Sequence, residues 1–234
     1  MTSSKQMEQL KAYLCSNDLM LGDDCDPKEL SVLIQAVLHE GHNPFNIIYH
    51  TLLPEYAKYY EYKRDDIAHH DFYRLLVQFF ISCVINTYRV ENPKPVPQVK
   101  NEVTIAFINS ESFDINRALL KFALENEGIE AHDLGDLLTP RDILEMYKMT
   151  PTRFLLLSLD KTRDLDLLIE LIAQLHKNYL NPPMLLVGGP LISAVFAYKA
   201  NADMYYEHPQ HAAMLLTDFF KVKEVGCIDN TLNN

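Results

Sequence analysis

Glycine is scarce in this chain, at seven residues in 234. That scarcity removes the loops that cradle phosphates. No Gly-Lys-Ser phosphate loop occurs, and no Gly-x-Gly-x-x-Gly follows the first apolar run of the second half. Cysteine is also sparse. Cys15, Cys25, Cys83 and Cys227 have neither pairing nor metal spacing, which argues against a zinc site or a disulfide framework and suits a reducing cytoplasm. No apolar run approaches the roughly 18 residues that a membrane span requires. The opening Met-Thr-Ser-Ser-Lys-Gln-Met-Glu lacks an apolar core and does not read as a signal peptide. Positive charge is in deficit: 21 Lys and Arg face 32 Asp and Glu, for a net charge of −11, and the basic residues form no cluster. Nucleic-acid binding draws its affinity from neutralising phosphates, so direct nucleic-acid contact is not expected. No Ser-His-Asp signature is present. Glu111 and Asp114 come nearest to a carboxylate pair, but loop acids of this kind ordinarily face solvent or cap a helix. The expectation is a protein that is not an enzyme.

What is present falls into two halves. Gln6–Cys15 has helical spacing. Asp26 with Glu29 matches a loose capping box, with Pro27 at the first helical position. That helix runs to about Leu38 or His39, and Gly41 ends it. Asn43-Pro44 starts a third helix, to about Tyr60. Asp65 or Asp66 caps a fourth, whose apolar positions are Phe72, Leu75, Leu76, Phe79, Phe80 and Val84. Residues 1–90 therefore read as an all-α four-helix domain. Asn92-Pro-Lys-Pro-Val-Pro97 can be neither helix interior nor central strand, and residues 91–101 form an extended linker.

From residue 102 the periodicity changes. Val103–Ile108, Ile129–Leu134, Phe154–Leu157 and Met184–Val187 are short apolar runs, and Met204–Tyr206 closes the series. Helix-period segments separate them. Asp114, Thr139-Pro140 and Asp164 stand where those helices need caps, and Asn181-Pro182-Pro183 breaks the third. Such alternation predicts an α/β domain over residues 102–225, doubly wound, with a parallel sheet in the order 2-1-3-4-5 and a tail at 226–234. Ligands of such sheets lie beyond the carboxyl ends of the strands. The loops 109–113, 135–139, 158–163, 188–191 and 207–209 stand there, and two of the seven glycines, Gly188 and Gly189, are adjacent in one of them.

Those loops resemble the cobalamin-binding domain of corrinoid carrier proteins, methionine synthase and light-sensing B12-dependent repressors. Ile129-Glu-Ala-His-Asp-Leu-Gly135, Ser158, Gly188-Gly189 and Asn201-Ala202-Asp203 carry the resemblance, which spans about residues 100–220. It implies a flavodoxin-like five-stranded parallel sheet, preceded by the family's four-helix cap. That cap is matched more weakly, at Leu53-Pro54. In the family the first loop reads Asp-x-His-x-x-Gly, and the His sits beneath cobalt. Here those three positions fall on Glu111, Phe113 and Asn116. Phe cannot ligate a metal, so the resemblance implies a cobalamin that keeps its own base or takes an imidazole from the cap. The implied binding residues are Glu111, Phe113, Asn116, Ser158, Gly188 and Gly189 from the α/β domain, with Tyr62, His69 and His70 from the cap. A side chain at position 189 is expected to block the groove while leaving the fold intact, provided its φ is ordinary.

Plainer readings stand beside these. Gly188-Gly189 also suits a simple strand-to-helix turn, and Ser158 a helix cap. The nine histidines show no His-Glu-x-x-His spacing, although a single axial ligand from His69 or His70, to cobalt or haem, needs no spacing. His208 and His211 open the last helix, facing either an anion or solvent. Tyr56, Tyr59 and Tyr60 share a helix face suited to packing at a domain or subunit interface, so a homodimer through the cap is one expectation. Three functions remain open. The first is a non-catalytic cytoplasmic sensor that binds a corrinoid or haem between cap and α/β domain. Like the related antirepressors and haem sensors, it would act on transcription through a regulatory protein partner. The second is an altered corrinoid carrier serving methyltransferases. The third is an interaction scaffold with no cofactor.

Overall fold

The computed structural model describes residues 5–15, 26–54, 67–108, 115–135, 138–159, 165–189 and 192–228. The chain divides into two compact units, Met1–Pro93 and Lys94–Asn234.

In the first unit, α1 (Lys5–Cys15), α2 (Pro27–His39) and α4 (Ile67–Glu91) are α-helices, and α3 (Pro44–Ile47) widens into a π-turn over Ile48–Leu52. The Asp26 carboxylate caps α2 by accepting the Lys28 amide at 2.8 Å, one residue earlier than a box with Glu29 would have it. Gly41 takes φ +87° after the helix, a conformation glycine adopts without a Cβ penalty. Asn43 accepts the Asn46 amide at 2.8 Å and starts α3. Within the π-turn the buried Thr51 hydroxyl donates to Met7 Sδ at 3.1 Å, tying α3 to α1. Residues 55–66 lie outside the described set, and with them Tyr62, the tyrosine face and the cap expected at Asp65 or Asp66.

The inward stripe of α4 meets the expectation at Phe80 and Val84 and departs from it at Leu75 and Phe79. Val77, Phe80, Ile81, Val84 and Ile85 are buried, whereas Leu75 is 53% and Phe79 38% exposed. Apolar residues surround this part of the helix, so several three-four lattices fit the sequence and packing selects one. The chosen stripe meets Leu30, Ile34 and Val37 of α2 in the core. Polar contacts edge the same seam. Ser31 and Thr87 share a hydrogen bond, and Gln35 and His39 both reach Glu91 Oε1, at 2.6 and 2.8 Å.

The second unit runs β1 (Val99–Ile108), α5 (Ile115–Asn126), β2 (Ile129–Asp133), α6 (Pro140–Met149), β3 (Phe154–Leu159), α7 (Leu165–Asn178), β4 (Met184–Gly188), α8 (Ala194–Lys199), β5 (Met204–Tyr206) and α9 (Pro209–Ile228). All pairings are parallel and the order is β2-β1-β3-β4-β5, as the alternation predicts. β1 begins at Val99, earlier than the apolar run, through an irregularity in which Asn101 takes φ 58°. Thr139 and Asp142 form a reciprocal capping box at α6. The caps expected at Asp114 and Asp164 lie outside the described residues.

β3 is buried along its whole length, as a central strand covered on both faces must be. Successive side chains alternate between faces. Leu155, Leu157 and Leu159 join Ala106, Leu185 and Val187 against α6, α7 and α8. Phe154 turns the other way, into edge-to-face contacts with Phe219 and Phe220 of α9, which packs against α5. At the amino end, buried hydroxyls pair with one another and with the backbone. The Thr152 hydroxyl donates to Thr104 Oγ1 at 2.8 Å, and the Tyr147 hydroxyl donates to the Thr152 carbonyl.

Candidate functional site

The carboxyl ends of the strands gather some of the expected residues. Parallel register sets Phe107, Ser158, Gly188 and Tyr206 in one row across β1, β3, β4 and β5. Paired positions of a sheet share a face, so the four stand on the side covered by α5 and α9. Phe107, Ser158 and Tyr206 are 2–3% exposed. Asn116, half-buried, lies in the first turn of α5. Glu111 and Phe113 fall outside the described residues, as does Tyr62. His69 and His70 belong to the first turn of α4, in the other unit.

The two glycines have different physical reasons. At Gly188 the backbone is ordinary, but a Cβ would clash with the Tyr206 ring, 2.5 Å from Cδ2 and Cζ. Tyr206 leans from β5 across Gly188 and donates its hydroxyl to the Leu157 carbonyl at 3.4 Å. The missing side chain of Gly188 is thus replaced by the ring of its register partner. At Gly189 φ is +128°, and a Cβ would strike the Leu159 carbonyl oxygen and lie 3.1 Å from its nitrogen. Position 189 therefore requires glycine by conformation and by space. The condition attached to the expected groove-blocking substitution, an ordinary φ, is not met.

A charged cluster at the same edge escaped the sequence reading. Asp133, at the end of β2, accepts from Arg117 Nε at 3.0 and 2.8 Å, from Lys121 Nζ at 3.1 Å and from the Gly135 amide at 3.0 Å. Burial alone would push this carboxyl up. The hydrogen bonds from Arg117, Gly135 and Lys121 outweigh burial and hold it below the usual aspartate range. The signal was there in part, since Arg117 and Lys121 are four residues apart on one helix face and Asp133 stands two residues before a glycine.

The remaining motif residues have local work. The Asp203 carboxylate accepts the Leu185 amide at 2.7 Å, and the Asp203 amide donates to the Leu185 carbonyl at 3.0 Å. Asn201 with φ 62° makes the turn that allows this, so Asn201-Ala202-Asp203 clips β5 to β4. His208 Nδ1 accepts the His211 amide and His211 Nδ1 accepts the Glu207 amide, both at 3.2 Å. His208 thus caps α9 at a first-turn amide, while His211 ties back to the residue ahead of the cap, each spending Nδ1 on the backbone. Among the described residues no cluster of three or more His, Cys, Asp or Glu could hold a metal ion, and no helix is long and apolar enough to cross a membrane.

No protein-family model matches the sequence, and no curated protein matches it. Solved structures do. A monomethylamine corrinoid protein from Methanosarcina barkeri aligns over 92% of this chain and 97% of its own, with 17% identity and a TM-score of 0.65. A methanol:cobalamin methyltransferase complex from Methanosarcina barkeri aligns over 93% of this chain and 80% of its own, with 14% identity and a TM-score of 0.47. A cobalamin-binding protein from Desulfitobacterium hafniense aligns over 91% and 96%, again with 14% identity and a TM-score of 0.47. The first of these establishes the likeness: nearly end to end, the chain has the fold of a corrinoid protein, with helices first and the five-stranded parallel sheet second.

Proposed function

We propose that the chain is a non-catalytic protein that binds a corrinoid at the carboxyl edge of its parallel sheet and acts through a protein partner. The observation that carries this reading is the shared fold with a corrinoid protein over almost the whole of both chains. The rule that open parallel sheets receive ligands at their carboxyl edge supports the location. Ser158 would contribute from the sheet and Asn116 from the first turn of α5, with Gly188 and Gly189 shaping the edge and Glu111 and Phe113 completing the set from the first loop. A corrinoid supplies a cobalt centre, and Phe113 offers it no ligand. An axial imidazole would come from the cofactor's own base or from His69 or His70, and Tyr62 is the further binding residue that the sequence assigns to the helical unit. Haem, held by one of the same imidazoles, is the other tetrapyrrole this arrangement would suit.

The acidic chain with no basic cluster favours a protein partner over DNA, which supports a sensor acting on a regulatory protein in the cytoplasm. Matching length and element order also support an altered carrier that presents a corrinoid to a methyltransferase. The purified chain, incubated separately with hydroxocobalamin and with haem and then gel-filtered, is expected to retain the corrinoid absorption. Retention of neither would leave an interaction scaffold. A carrier would in addition surrender methyl groups from bound methylcobalamin to a methyltransferase, and a sensor would not.

A further inference from the structure

Both glycines of the pair are used up by the protein's own packing. Tyr206, 3% exposed, occupies the volume in front of Gly188 and is tethered to the Leu157 carbonyl. Gly189 is pressed on the Leu159 backbone. Ser158 and Phe107, next along the row, are equally buried. Cobalamin, the ligand that the fold suggests, carries a nucleotide arm, and an arm laid along β4 needs bare backbone at this point. The structure offers an aromatic ring there instead.

We infer that Tyr206 is a plug that makes the site selective for tetrapyrroles without an inserted arm. The preferred ligand is then an incomplete corrinoid or haem, and cobalamin binds more weakly and only with its base on its own cobalt. The inference rests on the proposed corrinoid binding and adds which member of that class is accepted. Selectivity by obstruction works against the wrong ligand rather than for the right one. An arm could enter only by expelling the ring, breaking its hydrogen bond and exposing a side chain now almost wholly covered.

The test uses the full chain. Binding of cobinamide, which lacks the arm, and of hydroxocobalamin is measured by equilibrium dialysis and absorbance, for the native protein and for Tyr206→Ala. The native protein should bind cobinamide at least about tenfold more tightly than cobalamin, and any cobalamin it holds should have the base-on spectrum. Tyr206→Ala should gain about tenfold for cobalamin while its cobinamide affinity stays within about threefold. Cobalamin bound base-off by the native protein, with affinity equal to cobinamide, overturns the plug while leaving the binding proposal intact. Should Tyr206→Ala fail to fold, the native base-on or base-off spectrum still decides. Binding of neither corrinoid by either protein overturns the binding proposal, and the plug with it.

Discussion

Gly188 and Tyr206 should behave as one energetic unit, and Gly189 should not. An alanine methyl at 188 enters the space of the Tyr206 ring. The ring must move, and overpacking of this kind costs about 1–3 kcal/mol. Removing the ring with Tyr206→Ala empties a buried site and should cost about 3–5 kcal/mol, the range for aromatic truncation in a core. In the double variant the methyl occupies space already vacated, so the cost of Gly188→Ala should vanish. The two changes are then non-additive by about 1–3 kcal/mol, well outside the 0.3–0.5 kcal/mol scatter of independent sites. Gly189→Ala provides the control. Its φ of +128° and the Leu159 carbonyl do not depend on Tyr206, so its penalty, about 1–3 kcal/mol from backbone conformation alone, should be the same in both backgrounds. Native-state hydrogen exchange of the β3 and β4 amides in urea reads these differences within the α/β unit without relying on the helical one. Additivity of Gly188→Ala with Tyr206→Ala would refute the packing argument, and coupling at Gly189 would show that the ring governs the whole turn.

Asp133→Asn should destabilise the α/β unit by about 1–3 kcal/mol through its bonds to Arg117 and Lys121. Because the folded carboxyl titrates below its unfolded value, its stabilisation is fully present above the ordinary aspartate range and is lost as pH falls from that range through the lower folded value. Urea midpoints of the native protein and the variant should therefore converge in acid, and a gap that widened there would reverse the assignment. In α4, Ile81→Ala should cost about 2–5 kcal/mol, whereas the exposed Leu75→Ala should stay within about 0.5 kcal/mol. Equal losses in thermal unfolding would restore the stripe read from the sequence. His208→Ala should cost about 1 kcal/mol and His208→Asn much less, since Asn can still cap α9. Indistinguishable melting curves for the two variants would argue against a capping role.

The sheet was legible because local signals agreed. Apolar runs of strand length, the Thr139-Pro140 start of α6 and the proline stop before β4 all pointed to the same alternation, and the strand order followed from it. The lattice of α4 was not legible, because a helix apolar on several sides leaves the choice to its neighbours. Nor was the π-turn at Ile48–Leu52, where no residue type marks the extra amide. At the site, the oddity of two adjacent glycines in a glycine-poor chain was visible, but its cause was not. The ring that fills Gly188's place comes from a residue 18 positions later, and only the pairing of β4 with β5 brings the two together. Asp133 with Arg117 was missed for the same reason: the partners are distant in sequence and join only when α5 packs beside β2. Glu111 and Phe113 keep the standing the sequence gives them, since their loop is outside the described residues.

The complete burial of β3 has a consequence for the unfolded chain. Phe154-Leu-Leu-Leu-Ser-Leu159 is six residues without a charge, a proline or a glycine, the composition from which stacked, self-complementary fibrils grow. The folded sheet hides this segment on both faces and both edges. In sequence it is bracketed by Arg153 and Asp160, charges of opposite sign placed where they interrupt stacking of like chains. The guanidinium of Arg153 lies over the Phe219 ring, 4.5 Å from its centroid, and near Phe154. The same side chain thus serves two states, as a lid on the core when the domain is closed and as a gatekeeper against aggregation when it opens.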